Sequence, residues 1–151
     1  MNDFENIFNE IKNYFENFEK QNYKISSKSV GWHIDHSLRT INNAVFELKN
    51  SNPTRFAYAI NHRRTFLFFC KKIKRKSLRS PRSNRNFGNI TLEELIFQFE
   101  LAKSNITTIE KSNTKSNFNH PYFGQLNIAQ TCIFLNIHTK HHVEIIKDII
   151  K

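Results

Sequence analysis

Histidine is the residue type best placed to do chemistry in this chain. There are seven, and His138, His141 and His142 lie close together in one segment. In a helix successive residues turn by about 100°. On that wheel His138 and His142 share a stripe with Thr131, Leu135, Ile145, Ile146 and Ile149, while Lys140, Glu144 and Lys147 fall opposite. His141 sits at the edge, nearer Gln130 and Asp148. Two imidazoles one helical turn apart on one face can hold one cation, the geometry that zinc-binding HExxH helices exploit. The intervening residues are Thr139, Lys140 and His141, so the glutamate of a metalloprotease is missing and a protease reading has no support. A plainer reading is two core rings, but each would then bury a polar group that needs partners.

A third ligand has to come from another segment, and four histidines compete. His33 and His36 lie near the start of a second predicted helix, His62 on a third, and His120 in a loop. Measured from the centre of the second helix's apolar stripe, His33 lies about 100° away and His36 about 160°. That stripe is defined mainly by the C-terminal half of the helix. Trp32, four residues before His36, puts apolar surface on the His36 side as well. Periodicity leaves the choice open.

The elements that must position these side chains read as helices. Phe4, Ile7, Phe8, Ile11, Tyr14, Phe15 and Phe18 recur at three- and four-residue spacing, the pattern of one apolar helix face. Ser26 to Ser29 offer N-caps for a second helix running to about Lys49, with a stripe of Val30, Ile34, Leu38, Ile41, Val45 and Leu48. Asn52 as N-cap and Pro53 at the first helical position predict a third helix carrying Phe56, Ile60, Phe66, Leu67 and Phe69. Residues 74–89 lose periodicity and contain Pro81 and Gly88, the mark of a loop. Thr91 with Glu94 forms a capping box for a helix through Leu95, Ile96, Phe99, Leu101 and Ile106 to about Lys111. Residues 112–125 read as a second loop, and Asn127 can cap a last helix. No strand pattern and no repeat emerges. The expected fold is all-α, a four-helix bundle with an additional helical connection, in a single domain over residues 1–151.

Composition narrows the function classes. The net charge is +10, but it is regional: residues 48–92 hold 12 Lys/Arg and no acidic residue, while the rest holds 11 basic and 13 acidic residues. A uniformly basic nucleic-acid binder is therefore excluded, and a local patch is left open. Its centre is Lys71, Lys72, Lys74, Arg75, Lys76, Arg79, Arg82 and Arg85. Such a cluster could contact phosphates, with affinity falling steeply in salt. No aromatic residue interleaves it before Phe87, so base stacking has little support, and a solvated loop and helix end is the plainer reading. Three Gly, three Pro and 38 % hydrophobic residues exclude collagen-like and disordered classes. The N-terminal residues lack the basic and apolar regions of a signal peptide, and no apolar run approaches the ~20 residues of a membrane span. Cys70 and Cys132 read as small buried apolar residues, reduced in the cytoplasm.

Two segments carry a resemblance to a known family. Ser29-Val30-Gly31-Trp32-His33-Ile34-Asp35-His36-Ser37-Leu38 is similar to the second-helix segment of the DinB-like superfamily, the DinB/YfiT-like metalloenzymes, where a Gly is followed five residues later by a ligand His. His120-Pro121-Tyr122-Phe123-Gly124 followed by His138-Thr139-Lys140-His141-His142 resembles the family's HPxFG loop and HxxHH last helix. Within the superfamily the chain looks most like a group known only as a domain of unknown function. The resemblance implies a four-helix bundle holding one divalent ion, often nickel or zinc, through His36, His138 and His142, and it leaves His33, His120 and His141 as the alternative ligands. It also implies an open coordination position, a small-molecule substrate and, in characterised relatives, transferase or isomerase chemistry with a low-molecular-weight thiol. A metal-dependent thiol transferase or hydrolase is thus expected, and a homodimer is compatible with it. Residues 71–85 depart from the family pattern in being more basic.

Three His and an open position describe a catalytic more than a structural site, since structural sites close with four protein ligands. A metal there could lower the pKa of a bound water or thiol. Asp35 or Asp148 could orient a ligand ring, and no carboxylate near the paired His on their own face offers a general base. The competing expectations are polyanion binding through residues 71–85 and a non-catalytic bundle whose metal is structural or lost.

Overall fold

A computed structural model describes residues 2–75, 90–109 and 115–151. The described chain is predominantly helical. Helix α1 spans Asn2–Lys12, α2 Val30–Asn50, α3 His62–Cys70, α4 Leu92–Ile109 and α5 Ile128–Ile150. Between α4 and α5 in the chain lies an antiparallel hairpin of β1 (Asn117–His120) and β2 (Gly124–Asn127).

The long helices start where their caps predict. Ser29 Oγ accepts from the Trp32 amide at 3.2 Å to open α2, and Thr91 Oγ1 accepts from the Glu94 amide at 3.3 Å before α4. Asn127 and Gln130 close a reciprocal capping box at the head of α5. The predicted stripe of α2 is fully buried: Val30, Ile34, Leu38, Ile41, Val45 and Leu48 have no exposed surface. This makes α2 the central helix. It packs against α4 on one side and α5 on another, and α1 covers α5.

A polar seam crosses the α2–α4 contact. Asn42 donates to Gln98 Oε1 at 2.8 Å and accepts from Asn105 at 3.1 Å. On α4 the core takes Leu95, Phe99, Ala102 and Ile109, whereas Ile96 and Leu101, expected inside, are exposed.

Three expectations about the elements need correction. The first helix stops at Lys12, and residues 15–17 form a separate 3₁₀ turn. That turn tucks under the start of α2, with the Gly31 amide donating to the Phe18 carbonyl at 2.7 Å. A Cβ on residue 31 would sit 2.9 Å from that oxygen, so glycine is what permits the approach.

The third helix starts later than the Asn52-Pro53 signal predicts. Those residues open only a 3₁₀ turn, Pro53–Arg55, and α3 begins at His62 with Asn61 as its cap. The buried Arg64 guanidinium supplies the reason. It donates to the carbonyls of Ala59 and, at 3.0 Å, Gln125, and a helix through residue 59 would claim the Ala59 carbonyl for itself. Ile60, Phe66 and Phe69 are exposed, and Leu67 alone of the predicted stripe is buried.

The hairpin is the third correction, because residues 112–125 read as a loop with no strand. Phe118 pairs with Leu126 and both are buried. Gly124 turns the chain at φ +68°, a conformation glycine adopts without penalty. The His120 ring closes the turn, Nδ1 accepting from the amides of Tyr122 at 3.1 Å and Phe123 at 3.3 Å.

Cys70 is exposed and Cys132 half-buried, and they form no disulfide; Cys70 is thus not the buried apolar residue expected. No helix among the described residues is long and apolar enough to cross a membrane. Of the basic cluster, Lys71, Lys72, Lys74 and Arg75 are described; Lys76, Arg79, Arg82 and Arg85 lie outside the described residues, as do Pro81, Gly88 and the predicted helix end at Lys111.

Candidate metal centre

The contact between α2 and α5 is where the histidines meet. His36 sits in the second turn of α2, and His138 and His142 sit in the middle of α5. One nitrogen from each ring lies within 4.8 Å of the others. The ring centroids are 5.2 Å apart for His36 and His138, 4.8 Å for His36 and His142, and 4.7 Å for His138 and His142. Nitrogens at 2.0–2.1 Å from a tetrahedral ion are roughly 3.3 Å apart. Small ring rotations would therefore draw the cluster onto one ion. No aspartate, glutamate or cysteine joins the group among the described residues.

Burial sets the charge of these rings. It pushes His36 down to about 4, with the nearby His141 adding to the effect. Burial also holds His138 and His142 well below the ordinary imidazole range, reinforced by the neighbouring rings. All three are thus neutral at pH 7, the form that ligates a metal. The Nδ1 atoms of His36 and His138 are buried without any hydrogen-bond partner. A buried polar atom left unpaired is destabilising. Three neutral imidazoles, two of them with an unpaired buried nitrogen, fit a borderline divalent ion such as zinc or nickel, which imidazole suits.

The surroundings hold the rings in place. Trp32 stacks on His36 at 4.8 Å with the planes 6° apart, and its edge-on contact with His33 is 5.2 Å at 90°. His33 is buried and pushed down to about 3, by burial first and by the His36, His141 and Arg75 charges after it. It stands behind the group: its Nδ1 lies 2.9 Å from His142 Nδ1 and its Nε2 lies 2.9 Å from Ser26 Oγ.

Of the other candidates, His120 is occupied by the hairpin turn and packs on Phe123 at 4.4 Å and Phe134 at 4.6 Å. His62 is exposed at the head of α3. His141 faces away, lining a cleft of about 630 Å³ with Ile73, Arg75, Lys140, Glu144 and Lys147. The carboxylates expected to orient a ligand do not touch one. Asp35 is bound by Arg39 at 2.9 Å, and Asp148 is paired with Arg75 and Lys151.

His33 and His36 converge because three residues on a helix turn through about 300°, leaving only ~60° between them. The wheel treated them as alternatives, whereas the fold uses both at different depths. Ser26 was visible only as one of several N-cap candidates. Compared with known proteins, the chain matches no family model, no curated protein and no solved structure.

Proposed function

We propose that the chain is a divalent-metal-binding protein with a DinB-like four-helix bundle, formed by α1, α2, α4 and α5, and with His36, His138 and His142 as its ligands. The observation that carries this reading is that three imidazoles from two helices bring one nitrogen each within 4.8 Å of the others. Nickel or zinc is the expected ion, on the softness of an all-nitrogen donor set. When bound, such an ion supplies Lewis acidity that lowers the pKa of a thiol or water brought to it.

The protein's own part is binding, orientation and exclusion. His36, His138 and His142 would contribute three neutral donors, fewer than the four of a closed structural site. Trp32 holds the His36 ring in plane by stacking. No carboxylate joins the group among the described residues, so none of them offers a general base there. A low-molecular-weight thiol as co-substrate suits that absence, because its sulfur is deprotonated more readily than water. The reading is therefore a metal-dependent transferase using a small thiol and a small-molecule acceptor, with a hydrolase as the variant in which water takes the thiol's place.

Metal content decides the first half. Protein purified without a His tag and loaded with zinc or nickel should hold one ion per chain, and His138→Ala should hold far less. Equal content in both proteins would sink the site.

A further inference from the structure

The imidazole pair behind the ligand group has a direction. His33 and His142 face each other through their Nδ1 atoms at 2.9 Å. Neither nitrogen can be bare while the other is bare, since a hydrogen bond needs one proton between them. Both rings are buried, and an imidazole that offers a lone pair to a cation is the neutral form. One ring therefore donates and the other accepts.

The two arrangements differ in what they leave at His142. If His33 donates, His142 accepts on Nδ1 and carries its own proton on Nε2. Both of its nitrogens are then used, and no lone pair remains for a cation. If His142 donates, its Nε2 is bare and available. His33, accepting on Nδ1, must then carry its proton on Nε2, and that atom lies 2.9 Å from Ser26 Oγ. The Ser26 hydroxyl also accepts from the Lys28 amide at 3.0 Å. Its two lone pairs match the two donors, and the line of hydrogen bonds ends there.

We propose that Ser26 and His33 form a relay that fixes His142 in its Nδ1–H tautomer and turns Nε2 toward the ligand point. Both are positioning residues, and neither binds the ion. The inference rests on the metal-site reading above and adds to it the choice of nitrogen. It also assigns a chemical character. Ligand histidines often donate to a carboxylate, which makes the ring more basic and lowers the charge of the site. Here the acceptor is a neutral imidazole, and behind it a neutral hydroxyl. A divalent ion held this way keeps its full charge, which favours deprotonation of a bound thiol or water.

The relay is tested on the nitrogens and on affinity, in the full chain. Two-bond ¹⁵N–¹H NMR spectra of metal-free wild type should show His142 as Nδ1–H and His33 as Nε2–H. Zinc affinity, measured by chelator competition, should fall about 10- to 100-fold in His33→Leu. His33→Asn should recover most of it, because its Oδ1 can stand where the ring Nδ1 stood. Ser26→Ala, on the half-buried end of the relay, should fold normally and show a smaller loss together with a mixed His33 tautomer. An Nε2–H tautomer at His142 overturns the relay, as does unchanged zinc affinity in both His33→Leu and Ser26→Ala. Equal losses in His33→Leu and His33→Asn also overturn it, since the acceptor atom would then be irrelevant. Failure of wild type to take up zinc defeats the metal site itself, while the tautomer of His142 still decides the relay.

Discussion

Helix α5 separates two regions of opposite electrostatic design. One face presents His138 and His142 to α2, in a group with His36 that no aspartate, glutamate or cysteine joins among the described residues. The other lines the cleft under α1 and the segment after α3, where Lys71, Lys72, Arg75, Lys140 and Lys147 meet Asp3, Glu10 and Glu144. Adjacent residues therefore live in different media. His142 is buried among rings, and His141 borders charged groups. The difference teaches what burial does on this helix: burial without counter-charge leaves neutral lone pairs for a cation, whereas charges that compensate one another leave nothing unsatisfied.

The sharpest way to break this contrast is to exchange the neighbours. His142→Ala removes one of three converging nitrogens and should abolish measurable zinc binding at micromolar protein. His141→Ala, one residue away, should leave zinc affinity within a few-fold of wild type. Chelator competition on the two variants makes the comparison directly. Similar losses in both would show that the faces are not separate.

Acid is the next largest lever. Burial holds His36 and His120 at about 4 and His33 at about 3, below the ordinary value near 6.5. The unfolded chain then binds more protons than the folded one, so stability falls as pH drops from about 6.5 toward 4. Each ring held at about 4 loses on the order of 2 kcal/mol by pH 5, treated as independent. Three such rings sum to roughly 6 kcal/mol, and the metal-free protein should accordingly melt on the order of 10–25 °C lower at pH 5 than at pH 7.5. Thermal scans across that range check it. A flat profile would mean that the cluster is hydrated, and the two faces of α5 would then be alike.

Much of this contrast could be read before any coordinates, and the parts that could not have physical causes. The α5 wheel placed His138 and His142 on the core side and Lys140, Glu144 and Lys147 opposite, as the fold has them. Caps at Ser29, Thr91 and Asn127 were legible because they act within one turn. Arg64 was not, because its carbonyl partners include one on the hairpin far along the chain. The hairpin itself escaped notice, as four-residue strands give alternation too little length to register. His33's role depends on contact with a residue 109 positions away, a distance that periodicity within one helix does not reach.

The smallest effect belongs to the cleft, and it sharpens the comparison from the other side. Lys147 Nζ bonds Glu10 at 2.7 Å and Glu144 at 2.9 Å, and all three side chains are at least a third exposed. Those hydrogen bonds raise the Lys147 pKa, so its contribution is present throughout the neutral range and disappears only in alkali, above the ordinary lysine value. Exposure keeps that contribution small, since water and salt screen such pairs to about 0–1 kcal/mol. Lys147→Met keeps the apolar stem and removes the charge. It should lower the melting temperature by no more than about 4 °C at low salt, less in 0.5 M NaCl, and leave zinc affinity unchanged. Glu10 and Glu144 would then face each other without their shared cation, and the salt dependence reports that repulsion. A loss several times larger, insensitive to salt, would mark the cleft as a desolvated network comparable to the histidine cluster.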